Sequence, residues 1–117
     1  MKLDEIEDVE IDNEGKFKYI LIKAKEKSTK LSKLLVRGYA ECPYHADILE
    51  KTEQSVNSSE ISLSCPGGGR IERNNYEKTL FVFGYSQGFG QADHSKTVSI
   101  LKNKFPDYTI EYSNEGY

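Results

Sequence analysis

Residues 79–112 of this 117-residue chain have the sequence TLFVFGYSQGFGQADHSKTVSILKNKFPDYTIEY, which contains two strand patterns, a glycine-rich connection and a helix pattern. Alternating side chains at residues 79–85 predict a strand with both faces covered, in a central position of a sheet. Apolar or aromatic residues then recur at helical spacing at His94, Val98, Leu101 and Phe105. Pro106 ends that helix, and residues 108–112 predict the next strand. This order is typical of an α/β domain.

The upstream residues predict a second helix and further strands. Strand patterns lie at residues 17–27, 34–39, 61–63 and 70–73, and the last two flank a predicted turn at the three glycines 67–69. From residue 44 to about residue 55, one helical stripe is formed by His45, Ile48, Leu49 and Thr52. We therefore predict a single α/β domain, with a mixed β-sheet flanked by two α-helices.

The charge distribution separates a short lead-in from the body of the chain. Residues 1–14 hold seven acidic side chains and one lysine, although the net charge of the whole chain is only -3. We expect residues 1–15 to be an acidic, weakly ordered lead-in within a domain that spans residues 1–117. The remaining body is mildly basic, which suits an anionic ligand but falls far short of the charge of a nucleic-acid-binding domain.

Features that would direct the chain to a membrane or an oxidising compartment are not evident. No apolar stretch is long enough to span a bilayer, and the acidic start lacks the basic region of a secretory signal. Cys42 and Cys65 are too few to indicate a disulfide framework, so we expect free thiols. These observations predict a cytoplasmic protein with neither a membrane nor a nucleic acid as partner.

His45 lies where Pro43 closes a loop and the first helix begins. Backbone amides at the start of a helix lack intrahelical acceptors, and their partial positive charge favours anions and disfavours imidazolium. A neutral imidazole in that place suits a nucleophile or a general base in phosphate chemistry. A lone histidine at this position is, however, more often a packing residue, so the position alone leaves both interpretations open.

Three segments together support the functional interpretation: YHADI at residues 44–48, GGGRI at residues 67–71 and FGYSQGFGQADH at residues 83–94. With them, the sequence from residue 9 to residue 117 resembles the phosphohistidine phosphatases of the janus/ocnus family. The resemblance implies an α/β domain, generally monomeric, that hydrolyses the P–N bond of phosphohistidine. Its partners would be phosphohistidine-containing proteins, and it would need neither a metal ion nor another cofactor.

The resemblance also implies roles for individual residues. His45 is the active-site residue, acting as nucleophile or general base, and Lys18 neutralises the charge of the phosphoryl group. From the residues alone Lys18 is more often a solvated strand lysine, although it shares a face with Ile20 and Ile22. The predicted phosphate-binding residues are Lys18, Tyr44, His45, Ala46, Ser86 and Gly88, with Arg70 and Arg37 as secondary candidates.

Other kinds of site fit the sequence less well. Cys42, His45, Cys65 and His94 have the ligand types of a zinc site but not its usual spacing. His94 lies on an apolar stripe, which favours a structural role. The segment CPGGGR at residues 65–70 has four residues between cysteine and arginine, whereas cysteine phosphatases need five, and it also lacks a Walker lysine.

Two further functions remain alternatives to hydrolysis. The same phosphate cradle suits a non-catalytic module that binds phosphohistidine or another anion, and the acidic residues 1–14 alone suggest an interaction protein. Within the phosphatase interpretation, the phosphoryl group passes either through a covalent His45 intermediate or directly to water.

Overall fold

Within residues 1–115, six β-strands form one mixed sheet, and two α-helices pack on its opposite faces. The computed structural model describes residues 1–115; Gly116 and Tyr117, which the family resemblance includes, lie outside the described residues. In chain order the elements are a 3-10 helix at Leu3–Glu5, β1 (Val9–Ile11), β2 (Gly15–Glu26), β3 (Ser32–Gly38), α1 (His45–Val56), β4 (Ile61–Asn74), β5 (Thr79–Phe83), α2 (His94–Lys104) and β6 (Thr109–Tyr112). The predicted single α/β domain, with a mixed sheet and two helices, is confirmed.

The sheet has the strand order β1-β3-β2-β4-β5-β6, so the two longest strands, β2 and β4, lie at its centre. The pairs β2/β3, β2/β4 and β4/β5 are antiparallel, whereas β1 and β6 pair in parallel with β3 and β5. β5, α2 and β6 form a strand–helix–strand crossover between neighbouring parallel strands, which is the usual way to join such strands.

Alternation along β2 divides the hydrophobic core into two halves. Tyr19 and Leu21 pack on the same side as α2, whereas Ile20 and Ile22 pack on the same side as α1. The helices supply the matching apolar stripes, with Val98 and Leu101 from α2, and Ile48 and Val56 from α1. Each fully buried aliphatic side chain contributes about 1.5–3 kcal/mol to folding, so these buried side chains hold both helices against the sheet.

The prediction of a turn at the three glycines is wrong, because Gly67, Gly68 and Gly69 lie inside β4. They pair with residues 21, 20 and 19 of β2. A Cβ atom on Gly69 would lie 2.4 Å from the carbonyl oxygen of Phe83 and 2.7 Å from the His94 ring. The glycines are therefore needed for the close approach of neighbouring groups to the strand.

Two further expectations are corrected. β5 is not central, because only β6 lies beyond it in the sheet. Its two faces are not both covered either: α1 does not extend over β5, and Phe81 on that face is 38% exposed. The lead-in is not weakly ordered throughout, since Val9 pairs with Val36 in the sheet and Ile6 is buried. The buried Ile6 and Val9 side chains, the β1/β3 pairing and the hydrogen bond from Arg37 to the Glu7 carbonyl together hold this acidic segment against the sheet edge.

Within residues 1–115, no helix combines the length and the apolar character that crossing a bilayer demands.

Candidate active site

A cleft of about 610 Å³ lies where the start of α1 meets β2 and the loop after β5. Its lining residues are Lys18, Pro43, Tyr44, His45, Ala46, Ser86, Gln87, Gly88 and Phe89. The structure therefore brings together six of the residues predicted for the site from three distant parts of the chain. Pro43, Gln87 and Phe89 line the same cleft but had not been assigned a role.

His45 is the first residue of α1, and the residue is only 7% exposed. Its Nε2 atom lies 2.9 Å from the carbonyl oxygen of Gly69. A carbonyl can only accept, so Nε2 carries the hydrogen and the lone pair of the neutral ring is on Nδ1. The hydrogen bond thus fixes both the tautomer and the plane of the ring.

The environment of His45 favours the neutral form. Burial lowers the pKa of the imidazole, and the positive charges of Lys18 and Arg70 lower it further, while the hydrogen bond to Gly69 acts in the opposite direction. The net pKa is below the ordinary value of 6.5. At neutral pH the ring therefore offers a lone pair on Nδ1.

Gly68 provides the surface on which the His45 ring rests. A Cβ atom at this position would lie 2.9 Å from His45 Cδ2 and 2.7 Å from the carbonyl oxygen of Tyr19. Such distances are shorter than van der Waals contact. The absence of a side chain on Gly68 is therefore a condition for the observed ring position.

The start of α1 also supplies backbone donors. The Asp47 carboxylate accepts a hydrogen bond from the Tyr44 amide at 3.1 Å, and the Asp47 amide donates to the Tyr44 carbonyl at 3.1 Å. The amides of His45 and Ala46 precede the first intrahelical acceptors. Together with the helix dipole, they favour an anion in the cleft.

The loop after β5 forms the opposite wall of the cleft. The Ser86 hydroxyl oxygen accepts a hydrogen bond from the Phe89 amide at 3.1 Å, and the Ser86 and Gly90 backbones exchange two hydrogen bonds of 3.0 and 2.8 Å. Gly90 has a φ of +87°, which glycine adopts readily. Within residues 1–115 no acceptor is paired with the Ser86 hydroxyl hydrogen, and Ser86 lines the cleft.

The same loop is fixed to β4 beside the His45 acceptor. The amide of Gly68 donates to the Gly90 carbonyl, and the amide of Ala92 donates to the Gly68 carbonyl, both at 3.0 Å. Both walls of the cleft are therefore positioned by the glycine segment of β4. This gives the site a common rigid base.

Lys18 supplies the positive charge of the cleft. It is half-buried on the α1 side of β2 and is the cross-strand partner of Arg70. In the described part of the chain, no carboxylate forms an ion pair with Lys18. Its ammonium group is positioned to attract an anion at the start of α1.

The two predicted arginines differ in position. Arg70 lines a smaller cavity next to the cleft, which it shares with Lys18 and Pro43. Arg37 is buried, and its guanidinium donates to the carbonyl oxygens of Val36 at 3.1 Å and Glu7 at 2.6 Å. The structure therefore does not bring Arg37 into the cleft: its guanidinium is bound instead to the backbone of β3 and of the N-terminal segment.

His94 lies on the other face of the sheet and is fully buried. Its Nε2 donates to the Gly84 carbonyl at 2.8 Å, so Nδ1 accepts from the Tyr19 hydroxyl at 2.6 Å. The Thr97 hydroxyl lies 3.0 Å from the same Tyr19 oxygen. This network agrees with a structural role for His94.

The alternative set of four zinc ligands is not assembled. His45 packs on the α1 side of β4 and His94 on the α2 side, so one ion cannot contact both rings. Across residues 1–115, no three His, Cys, Asp or Glu side chains form a group that could hold a metal ion. Cys42 and Cys65 are both free thiols.

The acceptor of the His45 hydrogen bond was not predicted from the sequence. A backbone carbonyl leaves no residue-type signal, and the three glycines were interpreted as a turn. The pairing of β2 with β4 is what places the Gly69 carbonyl beneath α1.

Comparison with known proteins yields one family and several relatives. The model of the Janus/Ocnus family (Ocnus) matches residues 3–109. The sex-regulated protein janus-A of Drosophila melanogaster is 51% identical over 109 residues, which cover 93% of this chain and 80% of the relative. The 14 kDa phosphohistidine phosphatase of Sus scrofa is 40% identical over 120 residues, which cover 98% of this chain and 95% of the relative.

Proposed function

Since this chain belongs to the Janus/Ocnus family, we propose that it is a metal-independent protein phosphohistidine phosphatase. The name of the Sus scrofa relative specifies this reaction, whereas the janus-A names specify none. The site chemistry must therefore carry the proposal. The observation that carries it is the neutral His45, held by Gly69 in a cleft with Lys18 and the amino end of α1.

Hydrolysis of phosphohistidine requires few groups from the protein. The phosphoryl oxygens need donors and a positive charge, and the leaving imidazole needs a proton. Lys18, the Ser86 hydroxyl and the first amides of α1 supply the donors and the charge. These groups provide the electrostatic stabilisation for which other phosphatases use a metal ion, so we propose that none is needed.

His45 acts through the lone pair on Nδ1 in either of two routes. In the covalent route Nδ1 forms a bond to phosphorus while the P–N bond of the substrate breaks, and the substrate imidazole takes up a proton from solvent. Water then hydrolyses phospho-His45 to free histidine and inorganic phosphate and returns a proton to solvent. In the direct route Nδ1 takes a proton from the water that attacks phosphorus while the P–N bond breaks, and the leaving imidazole takes up a proton from solvent. In both routes the Gly69 carbonyl stabilises the positive charge that develops on the ring.

The proposal is tested by the release of inorganic phosphate from a phosphohistidine peptide with EDTA present throughout. The wild type should turn over, whereas His45→Ala should lose at least about a thousandfold in kcat. A circular dichroism spectrum shows whether His45→Ala remains folded. Full activity of a folded His45→Ala would contradict the mechanism, and tight binding of the peptide by an inactive wild type would favour the non-catalytic module.

The charge of Lys18 gives a second test. Lys18→Ala should weaken turnover about ten- to a hundredfold without abolishing it, because the amides of α1 remain. Lys23→Ala is the matched control, since Lys23 lies on the same strand, is exposed and does not line the cleft. Equal rates for the two variants would remove Lys18 from the proposed site.

Trapping of a phosphorylated enzyme distinguishes the covalent route from the direct route. Rapid acid-free quenching during turnover of a radiolabelled substrate should show a phosphorylated wild type if the intermediate is covalent.

We further propose that the protein acts as a monomer in the cytoplasm on phosphohistidine-containing proteins. Light scattering of the purified protein and fractionation of cells test these two statements.

A further inference from the structure

A second, smaller cavity adjoins the cleft and is lined by three cationic side chains. It has a volume of about 180 Å³ and is bordered by Lys16, Lys18 and Arg70. It shares Lys18 and Pro43 with the larger cleft, so the two spaces are neighbours separated by these residues. None of its lining residues is acidic.

The register of the central strands explains this concentration of charge. Lys18 and Arg70 are cross-strand partners on β2 and β4, and Lys16 lies two residues earlier on the same face of β2. Glu72 is opposite Lys16, at 4.0 Å in an exposed pair that contributes little. The remaining walls of the cavity are mostly apolar, which strengthens the attraction of the cations for an anion.

The volume of this cavity suits one side chain rather than a length of polypeptide. A residue next to the phosphohistidine in the substrate chain is close enough to enter it, since neighbouring Cα atoms are about 3.8 Å apart. The planar guanidinium of Arg70 and the ammonium of Lys16 are suited to a carboxylate.

A neighbouring groove that shares Cys42 and Pro43 with this cavity has the opposite charge. It is lined by Glu41, Asp47 and Glu50, with one lysine. This groove repels an acidic residue of the substrate, whereas the cavity of Lys16 attracts one. An acidic residue that reaches this part of the surface is therefore drawn to the cavity.

We propose that the cavity bordered by Lys16, Lys18 and Arg70 is a specificity subsite that binds the carboxylate of an Asp or Glu residue adjacent to the phosphohistidine of the substrate protein. This inference rests on the proposed function, because it names the sequence context that the cleft selects. Lys16 determines this preference without being part of the proposed phosphate cradle.

The test uses phosphohistidine peptides that differ only at the residues flanking the phosphohistidine, with Glu, Gln or Lys placed on either side in turn. With the wild type, Glu on one side of the phosphohistidine should give a kcat/KM about tenfold above that of the peptide with Gln at the same position, mainly through a lower KM. Lys16→Glu should remove that advantage and favour the Lys peptide. Lys25→Glu is the matched control, because it makes the same charge change at an exposed position of β2 away from the cavity.

Two controls separate this inference from the proposed function. Free phosphohistidine has no flanking residue, so wild type and Lys16→Glu should hydrolyse it at similar rates. Equal kcat/KM for the Glu and Gln peptides, with free phosphohistidine hydrolysed, would overturn the subsite and leave the phosphatase intact. If neither the peptides nor free phosphohistidine are hydrolysed, the proposed phosphatase activity is rejected. The subsite is then tested by calorimetric binding of the same peptides, and equal affinities for the Glu and Gln peptides would overturn it.

Discussion

One hydrogen bond at His45 connects the conformation of the ring with its reactivity. The Gly69 carbonyl holds the hydrogen on Nε2 and so keeps the lone pair on Nδ1, while burial keeps the ring neutral. The sequence could indicate a histidine at a helix start and, through the family resemblance, its importance. It could not indicate the tautomer, because the acceptor is backbone.

The lowered pKa of His45 predicts the pH dependence of turnover. The neutral ring is the active form, and its pKa is below 6.5, so the midpoint of the fall in kcat/KM with acid should lie below pH 6.5. Because the charge of Lys18 contributes to this lowering, Lys18→Ala should move the apparent pKa upward, whereas Lys23→Ala should not. Initial rates as a function of pH measure the shift, and a wild-type apparent pKa above 6.5 would contradict the assignment.

Gly68 gives a prediction about the support of the same ring. Gly68→Ala should displace the His45 ring or the Tyr19 carbonyl, because its Cβ would lie within 2.9 Å of both groups. We expect a loss of about 1–3 kcal/mol in unfolding free energy and a reduced turnover rate.

Gly88→Ala is the stability control, since no atom lies within 4 Å of its added Cβ. Its unfolding free energy should stay within about 0.5 kcal/mol of the wild type. Urea denaturation measures the unfolding free energy of both variants. Equal values would show that the residues around Gly68 can move to accommodate a Cβ atom without a loss of stability.

At the scale of elements, periodicity predicted both helices and most strands, because each buries one stripe or one face. Periodicity gave wrong predictions where elements distant in the chain determine which face of a strand is buried. The three glycines were interpreted as a turn, since nothing local shows that His45 and His94 approach β4 from opposite sides. The apolar pattern of β5 did not reveal that α1 leaves Phe81 exposed.

The start of α1 provides a prediction at this scale. Asp47→Ala removes the carboxylate that accepts the Tyr44 amide and that lies in the positively charged first turn. We expect a loss of about 1 kcal/mol in unfolding free energy. Asp47→Asn should recover part of this loss, because its amide oxygen can still accept. Thermal melts compare the three proteins, and an unchanged stability of Asp47→Ala would show that the contact does not hold the helix start.

At the scale of the whole molecule, the site depends on the pairing of β2 with β4. This pairing brings Lys18 beside Arg70 and places Gly69 beneath α1, while the glycine segment also anchors the loop of Ser86. Residue patterns predict which face a side chain occupies but not which distant segments meet there. The family resemblance supplied that grouping, except for Arg37, whose guanidinium the N-terminal segment occupies.

The two buried histidines make the stability of the whole domain sensitive to mild acid. Burial lowers the pKa of both His45 and His94 in the folded protein, whereas both titrate near 6.5 when the chain is unfolded. As the pH falls below 6.5, the unfolded state therefore binds protons that the folded state does not, and stability decreases. Each histidine contributes a slope approaching about 1.4 kcal/mol per pH unit.

Urea denaturation between pH 7 and pH 5 measures this dependence in a range above the usual titration of carboxylates. The pH dependence of the unfolding free energy should be less steep for His45→Gln and for His94→Gln than for the wild type, by up to about one proton each, whatever their absolute stabilities. The glutamine amide in either variant can still donate to the carbonyl that Nε2 contacts, so the slope reports titration separately from lost packing. A wild-type stability that does not change over this range would mean that the folded protein accepts both protons, and that the sheet does not keep its two histidines neutral.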